Sequence, residues 1–185
     1  MNQITTQYVT EGGACYEQYV ITDPAAKTAL TITPERGGMI TGFTLDGDEY
    51  IWTRRPNFSE CNRPRFGVPV LFPSCGNPDG GVHLFDGKAY PMECHGFADL
   101  CAWEVESVGP DGVTLILEST PLTKFLYPFD FTLLVNYNLE GSKANVTVMT
   151  ESDALNAEEV TRIRDALLSQ CKGLTAQDIT IVEVK

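Results

Sequence analysis

The residues best suited to proton transfer lie in the stretch PMECHGFADLCAWEV, residues 91–105. It contains His95, one of only two histidines in the chain, between Cys94 and a Gly-Phe pair. An imidazole has an unperturbed pKa of about 6.5, which suits general acid or base chemistry. By default, however, a lone histidine among apolar residues is a core or hinge residue with satisfied ring nitrogens. These residues alone make His95 a candidate, whereas His83 in GGVHLFDGKAY is expected on the flank of a hairpin.

Six cysteines invite two other kinds of chemistry: Cys15, Cys61, Cys75, Cys94, Cys101 and Cys171. Structural zinc sites use thiolates and imidazoles at close spacing, and the sequence has no C-x-x-C pair. Disulfide frameworks are typical of small secreted domains, whereas 185 residues can bury a core of their own. We therefore expect reduced, mostly buried thiols and no metal site.

The stretch RPRFGVPVLFPSCGNPDGG, residues 63–81, is expected to be an irregular segment followed by a long loop. Pro69 lies inside its apolar run and cannot donate a backbone hydrogen bond, which argues against a central strand. Long loops on a rigid β scaffold are where binding sites are commonly built. The alternative is a surface loop without a role.

The elements that must position these residues are predicted to be strands. Apolar and polar residues alternate with a period of two in most of the first 150 residues, with Gly and Pro turns between. This pattern favours an antiparallel β-sandwich or barrel over βαβ units. The predicted strands cover 16–22, 27–35, 39–52 with a hairpin at Asp46-Gly47, 103–109, 112–119, 129–141 and 143–150.

A glycine pair at 37–38 follows Arg36 between two of these predicted strands. It has no Gly-Lys-Ser/Thr signature, so a phosphate-binding loop is not supported. We expect a structural turn that uses positive φ or a close backbone approach.

The last 35 residues have a different pattern. Apolar residues at helical spacing predict a helix over 156–172, with Asn156 and Glu159 as a capping box and Gly173 as a stop. ITIVEV, residues 179–184, predicts a final strand. The shift near 151–156 predicts a main β domain over 1–150 and a helix-plus-strand tail over 151–185.

The charge of the chain excludes several partners. A net charge of −12 argues against nucleic acid and anionic membrane surfaces, because both require clustered Lys and Arg. The first residues contain neither a basic region nor an apolar region, and no apolar run reaches the length of a membrane span. These observations predict a cytoplasmic protein.

Four segments, taken in order, resemble the aldose 1-epimerase (galactose mutarotase-like) superfamily, in particular its bacterial aldose-epimerase branch. They are PERGGMITGFTLDGDEYIW (34–52), RFGVPVLFPSCGN (65–77), DGKAYPMECHGFADLCAWEV (86–105) and YPFDFTLLVNYNL (127–139). The resemblance covers about residues 15–150. It implies a mainly β protein, an antiparallel β-sandwich with a sugar pocket, that interconverts the anomers of aldoses without a metal or organic cofactor.

That reaction needs a base for the anomeric hydroxyl proton and an acid for the ring oxygen, so that the ring opens, rotates and closes again. By this resemblance, His95 matches the pocket histidine of the family's HGF segment. Arg65 matches the arginine before the Gly-x-Pro segment, where a guanidinium can donate paired hydrogen bonds to sugar hydroxyls. Asn77 and Asp99 complete the expected substrate-binding set.

Two departures from the family pattern shape the expected activity. Asp99 stands where many members have an arginine that helps to hold phosphate, which implies a free hexose as the substrate. After Met149 we recognise neither the family's second pocket histidine nor its carboxylate base, and Glu183 lies in no matching segment. The main domain is thus expected to be incomplete relative to the family, and activity to be weak.

Two alternatives to a weak epimerase stay open. One is a non-catalytic carbohydrate-binding module that keeps Arg65, Asn77 and His95. The other is a shortened family member whose tail caps an exposed sheet edge, with a homo-oligomer as one way to cover it.

Overall fold

The computed structural model describes residues 2–52, 63, 65–152 and 181–183. These residues form a mainly β structure with three short 3₁₀ helices, Asp79–Gly81, Ala98–Leu100 and Thr123–Phe125. The strands are β1 (Gln3–Glu11), β2 (Ala14–Asp23), β3 (Thr28–Thr33), β4 (Met39–Leu45), β5 (Asp48–Glu49), β6 (Val82–Phe85), β7 (Lys88–Pro91), β8 (Glu104–Gly109), β9 (Gly112–Glu118), β10 (Phe131–Glu140), β11 (Lys143–Ser152) and β12 (Ile181–Glu183).

The strands form two five-stranded sheets and one hairpin. The first sheet has the order β1-β2-β3-β4-β5, the second has the order β12-β11-β10-β9-β8, and β6 pairs with β7. The pairings within the first sheet, β6–β7 and β8–β9 are antiparallel, as the alternation predicted. The pairing of β11 with β12 is parallel, which the sequence did not predict.

Most predicted strands are confirmed, and β1 is an additional one. The hairpin at Asp46-Gly47 is confirmed, because both residues adopt the positive φ that a tight two-residue turn needs, 52° and 93°. His83 lies in the β6–β7 hairpin, as expected. β12 lies within the predicted strand 179–184. The predicted helix over 156–172 lies outside the described residues.

Contacts divide the chain into two units. The first unit is Met1–Val70, Asp99–Ile116 and Val135–Val146, and the second is Leu71–Ala98, Leu117–Leu134 and Thr147–Lys185. The division into 1–150 and 151–185 stays a prediction from composition.

In the first unit, aliphatic side chains from four strands, β2, β3, β9 and β10, are fully buried and form the core. Burying each such side chain stabilises the fold by about 1.5–3 kcal/mol. The Tyr137 hydroxyl, also buried, donates to the carbonyl of Gly38, just before β4. The fully buried aliphatic side chains include Ile21, Leu30, Ile32, Val113, Leu115 and Val135.

In the second unit the core is aromatic. The ring of Phe72 lies 6.0 Å from Phe97, 5.4 Å from Tyr127 and 4.8 Å from Phe131, measured between centroids. All four side chains are buried. Such edge-on and tilted pairs add about 0.5–1.5 kcal/mol each beyond the area that they bury. This aromatic cluster anchors the two segments that carry the candidate site.

The apolar run around Pro69 is irregular, as predicted. Val68 forms only an isolated antiparallel bridge with Ile40, and residues 69–71 belong to no strand. No helix among the described residues is long and apolar enough to cross a membrane.

Candidate functional site

His95 lies in a tight turn between β7 and the 3₁₀ helix Ala98–Leu100. The Gly96 amide donates to the Glu93 carbonyl at 3.1 Å, which closes the turn. His95 has a φ of 70° and Gly96 a φ of 74°. A non-glycine residue at positive φ costs about 1–3 kcal/mol and persists only where its surroundings impose it. The backbone of His95 is therefore held in an orientation that it would not adopt alone.

The segment from Phe72 to Gly76 holds the backbone of His95 in this conformation. The His95 amide donates to the Gly76 carbonyl at 2.9 Å. The amides of Phe97 and Ala98 both donate to the Phe72 carbonyl, at 2.8 and 3.2 Å. We call residues 72–77 and 93–98, joined in this way, the histidine loop pair.

Only glycine can occupy position 96 in the histidine loop pair. A Cβ on Gly96 would overlap the carbonyl oxygen of Phe72. The absence of a side chain therefore lets the two segments approach closely enough for the hydrogen bonds to form. The Gly-Phe dipeptide after His95 is thus explained by packing: the glycine permits contact, and the phenylalanine enters the aromatic cluster.

The two ring nitrogens of His95 have different surroundings. The side chain is half-buried, and Nδ1 is fully shielded from solvent without a hydrogen-bond partner among the described residues. A ring in this position can exchange a hydrogen bond with a ligand only through Nε2. The expected default of a core histidine with satisfied nitrogens therefore does not describe His95.

Asn77 belongs to the same loop pair, because it directly follows Gly76, whose carbonyl accepts from the His95 amide. Its side chain is exposed and so is accessible to a ligand. The structure therefore places two of the predicted site residues, Asn77 and His95, on adjoining segments of the second unit.

The other two predicted site residues, Arg65 and Asp99, belong to the first unit. Arg65 is exposed and pairs with no described residue. Asp99 is buried, with 1% of its side chain exposed, and both carboxylate oxygens lie close to Arg63 Nη1, at 2.6 and 2.7 Å. The negative charge of Asp99 is therefore locally compensated. Substrate binding by Asp99 and Arg65 stays a prediction.

The glycine pair at 37–38 forms the structural turn that we expected, with φ of 74° and 64°. The Gly37 amide donates to the Cys101 carbonyl at 3.1 Å. A Cβ at Gly37 would overlap the backbone of Asp99, and one at Gly38 would lie 2.9 Å from the Trp103 ring. This turn therefore supports the backbone that carries Asp99.

The described cysteines are free thiols, and no group of described His, Cys, Asp and Glu residues could hold a metal ion. They are less buried than expected: Cys15 is exposed, and Cys75, Cys94 and Cys101 are half-buried. Burial raises the pKa of the Cys75 thiol to about 11. A thiol that stays protonated at neutral pH is a poor nucleophile and a poor metal ligand.

Sequence reasoning missed the pairing partner of Asp99. This partner is Arg63, and nothing in a local sequence pattern connects residues 36 positions apart.

Comparison with known proteins agrees with this fold. A family model described as aldose 1-epimerase matches residues 17–161, so the chain belongs to the aldose 1-epimerase family. No curated protein sequence matches it.

Several solved structures are similar. The Slr1438 protein from Synechocystis sp. PCC 6803 is 29% identical, with a TM-score of 0.67 over 79% of this chain and 50% of that protein. A galactose mutarotase related enzyme from Lactobacillus acidophilus is 28% identical, with a TM-score of 0.60 over 74% of this chain and 44% of that enzyme.

A galactose mutarotase-like protein from Clostridium acetobutylicum shares the fold at 19% identity, with a TM-score of 0.66 over 81% of this chain and 49% of that protein. The chain thus spans about half the length of these solved structures.

Proposed function

We propose that this protein binds a free monosaccharide at the histidine loop pair and interconverts its anomers by acid–base ring opening. The observation that supports the proposal most directly is the imposed backbone of His95, whose positive φ is held by the Gly76 carbonyl. Strained residues cluster at functional sites, because the surrounding structure keeps the side chain ready for its ligand. Family membership supports the same reaction class.

In the proposed reaction, His95 handles a proton through Nε2, the ring nitrogen that a ligand can reach. As the protonated imidazolium, His95 gives its Nε2 proton to the ring oxygen of the sugar as the C1–O5 bond opens and becomes a neutral imidazole, which takes the proton back when the ring closes. A base must remove the proton from the anomeric hydroxyl. The exposed Asn77 amide can hydrogen-bond to sugar hydroxyls beside His95.

A non-catalytic carbohydrate-binding function is the second candidate. The observation in its favour is that no carboxylate among the described residues hydrogen-bonds to the His95 side chain. Without a matched base, the anomeric proton passes to water, and one positioned acid contributes only about 10²–10⁴-fold. We therefore expect slow turnover rather than the rate of an enzyme with a complete acid–base pair.

Polarimetry on freshly dissolved α-glucose and α-galactose tests the proposal. His95→Ala should abolish the enhancement over water, whereas His83→Ala removes the chain's only other histidine and should leave the rate unchanged. Glu183→Gln tests whether that residue supplies the base.

Titration calorimetry with the same sugars separates the two candidates. Binding that depends on His95 without turnover would favour the carbohydrate-binding function. Turnover that is indifferent to His95→Ala, or the absence of both binding and turnover, would contradict the proposed site. The cytoplasmic location, the homo-oligomer and the absence of nucleic-acid and membrane partners stay predictions.

A further inference from the structure

Strand β1 lies at one edge of the first sheet. All of its residues, Gln3–Glu11, pair with β2, and no other strand among the described residues pairs with it. Such an edge presents a row of backbone N–H and C=O groups that can pair with another strand. Tyr8, near the middle of β1, is 68% exposed, so the strand is accessible.

The other edge strands of the two sheets have features that prevent such pairing. β5 has two residues and β12 has three. β8 carries Glu104 and Glu106, and its register with β9 shifts between Val105 and Ser107. Short length, charge and a bulge each protect an edge. β1 has none of these features: it is nine residues long, it pairs with β2 without a register shift, and its one charged residue, Glu11, lies at its end.

The turn between β1 and β2 determines which backbone groups of β1 face outward. Its two residues, Gly12 and Gly13, have φ of 56° and 83°, as a type I′ hairpin requires. In such a turn the flanking residues, Glu11 and Ala14, form a hydrogen-bonded pair. Hydrogen-bonded and non-hydrogen-bonded pairs then alternate along the ladder, so the even-numbered residues of β1 direct their N–H and C=O groups away from β2. These even-numbered residues are Ile4, Thr6, Tyr8 and Thr10.

A second copy of the chain matches these outward groups. An antiparallel pair of identical strands has a two-fold axis, so the same residues serve both copies and the assembly closes as a dimer. With the axis at Gln7, Ile4 lies opposite the partner's Thr10, and Thr6 lies opposite the partner's Tyr8. Every outward-facing residue then belongs to a hydrogen-bonded pair, which gives about eight hydrogen bonds between the chains. A shifted register leaves some of these residues unpaired.

The distribution of charge favours the same surface. The chain has a net charge of −12, so two copies repel each other at most approaches. In the pairing around Gln7, the acidic Glu11 lies opposite the partner's Gln3, and no other residue of β1 is charged. Like charges directly opposite each other would destabilise a strand pair. Two copies can therefore meet along β1 without placing acidic side chains against each other.

We propose that β1 pairs antiparallel with β1 of a second copy, around a two-fold axis at Gln7, and joins the first sheets of the two copies into one continuous sheet. This inference gives the predicted homo-oligomer a specific surface. It does not depend on the proposed function, because β1 belongs to the first unit and His95 belongs to the second.

Sedimentation equilibrium of the full chain measures the dimer directly. The chain has a mass of 20.3 kDa, and the average mass of the parent protein should approach twice that value as its concentration rises. Thr6→Pro should raise the dimer dissociation constant about ten- to hundredfold, because it removes an outward N–H from each copy. The monomer should tolerate this change, since edge strands accept proline where the N–H faces solvent. Ser107→Lys, at an exposed position of β8, is the control and should leave the dissociation constant unchanged.

A charge exchange at the two-fold axis tests the register. Gln7→Lys and Gln7→Glu each place like charges opposite each other, so each should raise the dissociation constant about two- to fivefold. In an equal mixture, the two variants should bind each other about two- to tenfold more tightly than either binds itself, because opposite charges then face each other. Misfolding cannot produce this rescue, so the mixture remains decisive should Thr6→Pro fail to fold.

The outcomes that contradict the proposal are distinct. A parent protein that keeps the monomer mass up to about 0.2 mM would overturn it and leave the β1 edge to a different occupant, such as an extended peptide of another protein. A parent dimer that neither Thr6→Pro nor the Gln7 variants weaken would place the interface elsewhere. A mixture of Gln7→Lys and Gln7→Glu that binds no more tightly than the separate variants would rule out the axis at Gln7.

Discussion

Breaking the pair Arg63–Asp99 should strongly destabilise the first unit. Arg63 Nη1 lies 2.6 and 2.7 Å from the two Asp99 oxygens, and the exposed fractions of the side chains are 19% and 1%. Arg63→Ala would leave the Asp99 carboxylate buried without this cation. We expect that loss to exceed by far the cost of removing a surface arginine.

The magnitude follows from the burial of the carboxylate. Two unit charges about 4 Å apart attract by about 4 kcal/mol at an effective dielectric constant of about 20. Removing one partner of a buried pair typically costs about 3–5 kcal/mol. Arg63→Ala should therefore lower the free energy of unfolding by about 3–5 kcal/mol, a large share of the roughly 5–15 kcal/mol that stabilises an ordinary domain.

Asp99→Asn should cost less, about 1.5–3 kcal/mol, because Arg63 is partly exposed and can turn its charge toward water. In the double variant the two losses should not add, since each single change already breaks the pair.

Urea unfolding, followed by circular dichroism, measures these free energies. Arg65→Ala is the matched control, because it removes a nearby exposed arginine without a partner among the described residues. It should change stability by less than about 0.5 kcal/mol. Equal effects of Arg63→Ala and Arg65→Ala, or additivity within about 0.5 kcal/mol in the double variant, would refute the reasoning.

Three further predictions concern packing, reactivity and ligand choice. Gly96→Ala should lower the free energy of unfolding by more than the roughly 1–2 kcal/mol that a positive φ alone costs, because the added Cβ would overlap Phe72. Gly80→Ala is the control in the same urea assay, since Gly80 has a φ of 65° and open space around it. Equal losses in the two variants would contradict the overlap. Iodoacetamide should modify Cys75 slowly at pH 8 and faster as the pH approaches 11, whereas the exposed Cys15 is accessible throughout. Because folding raises the pKa of Cys75 from 9.0 to about 11, the stability that this thiol contributes is present below pH 9 and declines as the pH rises toward 11. Peptide mapping by mass spectrometry follows both thiols, and early modification of Cys75 at pH 8 would contradict its burial. Calorimetric titration should show tighter binding of free hexose than of hexose 6-phosphate, because a net charge of −12 repels the phosphate even though Arg63 compensates Asp99. Tighter binding of the hexose 6-phosphate at physiological salt would contradict this charge argument.

Local alternation accounts for the elements that could be predicted. The predicted strands recur as β2, β3, β4, β8, β9, β10 and β11 because a half-buried strand places every second side chain inside, which is visible in the sequence. In β10 every second residue from Phe131 to Leu139 is buried. β1 escaped prediction because QITTQYVTE has few apolar residues, and its nine-residue pairing with β2 forms only in the folded sheet.

The sequence by itself determined the β class, the hairpin at Asp46-Gly47 and the candidacy of His95, because each depends on neighbouring residues. Tertiary structure alone decided the surroundings of the candidate residues. It buried Asp99 against Arg63 and joined the His95 turn to the segment Phe72 to Gly76. Such contacts join residues about 20 to 36 positions apart, and a hydrogen bond between them leaves no periodic trace in the chain. Residue type therefore indicated which groups can move protons, and long-range packing determined which of their atoms a ligand can reach.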